Sequence, residues 1–280
     1  MFAPAGATDD ELGARAGRFL MIEDRLAAAM RGALNAEFAR VRDVVLSSLG
    51  GSSDRDIDRR LAVTLGLIPT LLADHPDQLN RIFVQHLGRA FDVFGEMVFD
   101  LATEIGRSGF KAADDFRPDA RSTFRAARQA YLDEEGGAHI VRISDTTRVQ
   151  LLGELQDAII DGTGYAGAAA GISTVTVGEI GRFRATTIAG TEMHSASQAA
   201  TYEAHGALVS EFSLVRKWVS VEDDRRRDTH RAAHGQIAPV DGTFLVGGFN
   251  LRYPGDPRGP AKEIIRCRCV AALQPPEYDQ

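Results

Sequence analysis

Apolar positions in the front half of the chain recur at helical spacing. From Phe19 they fall at Ile22, Leu26, Met30, Leu34, Phe38, Val41, Val45 and Leu49, in steps of three and four. This predicts one long helix, stopped by Gly50-Gly51-Ser52-Ser53. A second helix is expected from about Asp56 to Ala73, with Pro69 kinking or ending it. Pro76 opens a third, whose stripe Phe83, Leu87, Phe91, Phe94, Val98, Leu101 and Ile105 lies on one side. Such a stripe is either the inner face of a bundle or a seam offered to a partner, and bundle packing is the expectation. Pro118 suits the first turn of another helix, running to about Glu135 and ended by Gly136 and Gly137.

The texture then changes. His139 to Ile143 reads as a short strand, and Asp145 as the cap of a helix through about Ile160. Asp161-Gly162-Thr163-Gly164 is a break. A Gly/Ala-rich stretch runs to Ile172, followed by a short helix from about Val175 to Phe183 and a longer one from Arg184 to Phe212. Beyond Ser213 the pattern turns to short strands over Leu214–Val219, Gly242–Phe249 and Ile264–Ala272, with a short helix over Asp224–His234. The predicted fold is α+β and mostly α: an N-terminal helical bundle (1–140), a helix plus small mixed α/β module (141–273), and a flexible tail (274–280). The boundary is placed between Gly136 and Asp145.

The chain has 280 residues, 44% of them hydrophobic, enough for a large core. No apolar run approaches the roughly 20 residues of a membrane span. The start, MFAPAGATDDELGARAG, lacks the basic-then-apolar pattern of a secretory leader. Cys267 and Cys269 are too close in sequence for an unstrained disulfide, which suits a reducing compartment. The net charge of −7 argues against wholesale nucleic-acid binding. It is uneven: residues 1–213 carry 21 basic and 30 acidic residues, and residues 214–280 carry 11 and 9. Only the C-terminal part would suit a polyanion.

No phosphate loop, nucleophile elbow, zinc-protease helix or calcium loop is present. What the C-terminal half carries is an ordered series. It opens with Arg184-Ala-Thr-Thr-Ile-Ala-Gly-Thr191-Glu192, followed by Lys217-Trp218 and Asp224-Arg-Arg-Arg227-Asp-Thr-His230. Gly235-Gln236, Phe244, Tyr253-Pro254-Gly255-Asp256-Pro257 and Cys267-Arg-Cys269 complete it. The series, from about Thr147 to Val270, resembles the Mu F-like phage minor head proteins, the phage head morphogenesis family. It departs from that pattern at Gly190, where arginine is usual, at His234, where Asp or Asn is usual, and at Arg266, commonly Asn. The resemblance implies a structural protein of a tailed-phage or prophage head, present in few copies and associated with the portal. Its expected roles are head assembly and DNA packaging or delivery. Portal, scaffold or major capsid protein would be its partners, and the virion its location.

The same residues have a physical reading. Trp218, the only tryptophan, is expected as a core anchor. Arg184 and Glu192 lie eight apart on one helix face and would pin the strand region to that helix by ion pairs. Asp223 and Asp224 suit a helix start, with Arg227 at a stabilising spacing from Asp223. Arg225, Arg226, Arg227 and Arg231 form a basic cluster that would touch DNA or a partner weakly, unless nearby acids make it a solvated mixed-charge face. His230 and His234 share a helix face, Cys267 and Cys269 a strand face. Together they are a candidate tetrahedral zinc set; the alternative is buried small thiols with loop-lining histidines. Arg266 and Arg268 should point away from the cysteines, toward water or a carboxylate.

Three functions compete. The first is a non-enzymatic virion protein. The second is a His-dependent nuclease or toxin-like enzyme built on His230, Arg227, Asp224 and Arg268. The third is a cellular helical adaptor, for which the ordered series would be coincidence.

Overall fold

The computed structural model describes residues 8–50, 56–107, 118–208 and 214–276. Mostly helical, the chain divides into two compact units. One comprises Met1–Ala27, His86–Leu132 and Gly190–Gln280, the other Ala28–Gln85 and Asp133–Ala189. No helix among the described residues is long and apolar enough to cross a membrane.

The second of these units has, among its described residues, helices joined by turns and no strand. It takes the rear of α1 (Asp9–Leu49), then α2 (Ile57–Leu71), the start of α3 (His75–Arg107), α5 (Gly137–Ile160), α6 (Gly164–Thr176) and the front of α7 (Glu179–Ala207). Val41, Val45 and Leu49 of α1 meet Leu61 and Ile68 of α2, Leu151 and Leu155 of α5, and Ile172 of α6 in one core. Each such buried aliphatic is worth about 1.5–3 kcal/mol. Pro69 sits inside the last turn of α2, two residues before its end. Glu37 is buried, and its carboxylate meets the ring of buried His75 at 2.6 Å and Arg40 at 2.8 Å. Burial opposes its charge, but those partners hold the carboxyl below its usual range.

Four expectations fail in this stretch. Gly136 and Gly137 do not end a helix: α4 (Pro118–Tyr131) passes through one π turn (Leu132–Gly136) directly into α5. His139–Ile143 is helical, not a strand. Its β-branched residues suggested a strand, but Ile140, Thr147, Leu151, Leu155 and Ala158 form a buried stripe at helical spacing, and burial of that stripe prevails over local propensity. Asp145 therefore lies within α5, paired with Arg148, rather than at a cap. The short helix predicted over 175–183 is divided between the end of α6 and the start of α7.

In the first unit, Phe91 and Phe99 of α3 hold Phe124 of α4 at centroid distances of 6.1 and 5.6 Å, and Phe91 meets Tyr131 at 4.8 Å. A Cβ at Gly95 would lie 2.1 Å from the Phe124 ring, so only glycine permits this approach. Leu87, Phe91, Phe94 and Val98 are buried, as is Phe83 in the other unit, so these positions of the α3 stripe face inward and form no exposed seam. Ile105 lies among residues whose side chains are not described.

The rest of this unit is the small module. Strands β1 (Val215–Val219), β2 (Ile237–Ala238) and β5 (Val270–Gln274) form an antiparallel sheet in the order β2-β1-β5, with Trp218 opposite Ala271. The strand expected over 242–249 is instead a hairpin of β3 (Phe244–Val246) and β4 (Phe249–Leu251). Gly247 and Gly248 turn it at φ +58° and +86°, a conformation suited to tight hairpins. The predicted helix over 224–234 shrinks to α8 (Asp228–Ala233), because 223–226 turn. A one-turn helix, α9 (Ala261–Ile264), stands where the last strand was expected to start.

Candidate functional site

Most of the signature residues, though not Arg184 and Asp224, converge within this module, around α7. Its inner face presents Thr191, His194, Ser195 and Gln198, three or four apart, and each meets a distant segment. Thr191 Oγ1 accepts from the Arg266 backbone N–H at 3.1 Å, and Gln198 Oε1 from that of Ala271 at 3.0 Å. Ser195 donates to the Gly255 carbonyl. Arg266 has φ +53°, a left-handed conformation that Asn tolerates better than arginine. That gives a physical reason for the asparagine usual at this position of the resembled pattern.

Trp218 is fully buried. Its ring stands edge-on to His230 at 5.8 Å and to Phe244 at 5.3 Å, within a core that includes Cys267, Cys269 and Ala271. Gly235, at φ +82°, donates to the Trp218 carbonyl at 2.8 Å. The Gln236 side chain pairs with both backbone groups of Leu245 at 2.9 Å, acting as a substitute strand. The Pro254-Gly255-Asp256-Pro257 turn is closed by Asp256, whose carboxylate is fully buried and receives Arg252 and Arg258 at 3.0–3.3 Å. Burial opposes its charge; the two guanidinium groups outweigh it and lower its pKa. Gly255 lies against His194, where an added Cβ would come within 2.9 Å of the ring.

His230 and the two cysteines come together. His230 Nδ1 lies 3.2 Å from Cys269 Sγ and 3.7 Å from Cys267 Sγ. Burial opposes a thiolate at Cys267, but Cys269 and the His194 and His230 imidazoles outweigh it, drawing this thiol well below its usual value. Cys269, sharing the bond, is pushed up. Both thiols are free and buried. His234 stays outside this group: its Nδ1 receives the Ser220 backbone N–H at 3.2 Å.

Other expected contacts are rearranged. Arg184 does not reach the strand region. It bonds Gln150 and Thr147 of α5 at 2.7 and 3.2 Å, with its guanidinium over the Phe38 ring. Glu192 is buried in the other unit. Asp223 opens no helix and does not pair with Arg227. It takes a bidentate bond from Arg268 at 2.5 and 2.7 Å, which with a backbone bond from Arg225 lowers its pKa to about 2. Arg227 donates to the Ile265 carbonyl instead. Asp224 is exposed on the turn. Each of the remaining arginines has an acid nearby: Arg225 with Asp223 at 3.6 Å, Arg226 with Glu222 at 3.2 Å and Arg231 with Asp228 at 3.8 Å.

Three further participants, Arg216, His194 and Glu23, belong to none of the sequence motifs. Arg216, fully buried, donates to the carbonyls of Arg252, Pro239 and Gly242 and stacks on Tyr202 and Phe244. Burial lowers its pKa to about 10. His194 meets Glu23 of α1 at 3.0 Å, and Ser197 donates to the same carboxylate at 2.6 Å. Burial opposes a charge on His194, but Glu23 and the nearby Cys267 raise its pKa to about 10. The clue for His194 was its place three residues after Thr191, on the same helix face. Glu23 left none.

These interactions tie backbone segments together with buried polar side chains, as in a scaffold. Residues 150–272 match the family described as Phage Mu protein F like protein. The match agrees with the resemblance drawn over 147–270 and points to a phage head morphogenesis protein. No curated protein and no solved structure matches the chain.

Proposed function

We propose that the chain is a structural minor head protein of a tailed phage or prophage. It acts at or near the portal vertex, in head assembly and in DNA packaging or delivery, without catalysing a reaction. The family match over 150–272 carries this reading. The module supports it, because most of the signature side chains there, Trp218, His230, Asp256, Cys267 and Cys269 among them, are buried. The pocket beside His230 and Cys269 is small, about 20 Å³. The partners are the portal, scaffold or major capsid protein. Phe83, Leu87, Phe91, Phe94 and Val98 of the α3 stripe are buried, so they offer no exposed seam for docking. The Arg225, Arg226 and Arg231 cluster is largely charge-compensated, so any DNA contact there is weak.

The test is co-expression with the portal and capsid genes of the same cluster, followed by head purification. The chain is expected in the heads at low copy, and copurifying with the portal ring. Heads formed in normal yield without it, together with a nuclease activity abolished by His230→Ala, would overturn the reading.

A further inference from the structure

Two histidines approach the cysteine pair from different helices. His230 of α8 aims Nδ1 at both sulfurs, at 3.2 and 3.7 Å, and the three ligand atoms lie within 4.8 Å of one another. Tetrahedral zinc, with Zn–S of about 2.3 Å and Zn–N of about 2.0–2.1 Å, sets N···S separations near about 3.6 Å. His194 of α7 neighbours Cys267, outside that close three-atom group. Its Nδ1 is taken by Glu23, while Nε2 is fully buried with no partner in hydrogen-bond geometry. The neighbour this nitrogen has is the Cys267 thiol, which interacts with the His194 ring.

The outer nitrogens complete the pattern. His194 Nδ1 meets Glu23 at 3.0 Å, and His230 Nε2 lies 3.2 Å from Glu263, at ion-pair distance though off the line of a hydrogen bond. Each carboxylate is itself fixed, by Ser197 at 2.6 Å and Thr229 at 2.8 Å. Imidazoles that ligate metal usually hand their second nitrogen to such a carboxylate, which fixes ring orientation. Two thiolates would cancel the charge of a divalent ion, so the buried centre itself would be neutral.

We propose that His194, His230, Cys267 and Cys269 form a structural zinc site, with Glu23 and Glu263 orienting the imidazoles. His234, bonded to Ser220, is not a ligand. Four protein ligands leave no open position, so the ion is a staple joining α7, α8 and the segment entering β5. This inference does not depend on the role in the head.

The test uses the full chain, purified without chelator, with zinc measured by elemental analysis. One zinc per folded chain is expected. The His234→Ala variant should keep it, and His194→Ala should lose it. Cobalt(II) in place of zinc should give the strong visible absorption of a tetrahedral thiolate site in wild type and His234→Ala alike. Glu23→Gln should keep the stoichiometry but weaken zinc affinity about 10- to 100-fold. If His194→Ala does not fold, the wild-type stoichiometry, the cobalt spectrum and the two other variants decide. A folded wild type that takes up neither zinc nor cobalt overturns the site, as does zinc that is lost in His234→Ala.

Discussion

Replacing Arg216 with alanine should loosen the C-terminal module selectively. The guanidinium donates to three carbonyls on separate loops, those of Arg252, Pro239 and Gly242. Each buried acceptor stripped of its donor costs about 1–3 kcal/mol. Stacking on Tyr202 and Phe244, at 4.8 and 5.3 Å, adds about 0.5–2 kcal/mol. Against this stands the relief of a buried charge. Its pKa falls from 12.5 to about 10, which at about 1.36 kcal/mol per unit disfavours the charged form by about 3 kcal/mol. The net loss is about 3 kcal/mol.

Urea unfolding followed by Trp218 fluorescence reads the module directly, because this is the only tryptophan. With a slope of about 1–3 kcal/mol per molar urea, the midpoint should fall by about 1–3 M. Arg216→Lys keeps the charge but not the planar fork, and should recover less than half of the loss. A shift below about 0.5 M for the alanine variant would show that Arg216 does not hold the loops together. Full recovery by lysine would show that charge alone matters.

Other outcomes follow from single contacts. His205 is buried beside Arg216, and its pKa falls from 6.5 to about 4, first through burial and then through that charge. A lowered folded pKa contributes stability that is complete above about pH 6.5 and lost as pH falls through about 4. About 3 kcal/mol should therefore disappear from the module across that window, and His205→Gln should flatten the slope of midpoint against pH. Arg266→Asn relieves the left-handed backbone and should raise stability by about 0.5–1 kcal/mol, whereas Arg266→Val should lower it; calorimetry distinguishes these. Arg225→Ala and Arg231→Ala remove exposed partners of acids on their own segment and should change stability by less than about 0.5 kcal/mol. A drop in DNA retention confined to low salt in the double variant would reveal a phosphate contact there.

The long helices were legible because a stripe at helical spacing extends over many turns, as at Val41, Val45 and Leu49. Local signals misled where tertiary burial prevailed. The β-branched run at 139–143 and the glycines at 136–137 suggested a strand and a stop, yet Ile140 continues a buried helical stripe. The hairpin over 244–251 was read as one strand because Gly247-Gly248 interrupts an otherwise unbroken β-prone run. In the module, the order of motifs identified the region, and Trp218, Cys267 and Cys269 were expected where they stand, in the core. Partners far apart in sequence were not legible. Nothing near Glu23 signals that it will meet His194, 171 positions later. Arg216 carries no mark of its role in the sequence, because only the fold brings three carbonyls to it.

The division of the chain bears on how fragments of it should be cut. Residues 150–272 would keep Leu151, Leu155 and Ile172 but leave behind Val41, Val45, Leu49 and Leu61, their neighbours in one oily interior. The same piece would sever Glu23 from its imidazole. A fragment trimmed to the recognisable span would carry a bare greasy face and an orphaned ring, and should precipitate. What the family pattern delimits as one span is, mechanically, part of one body and part of another.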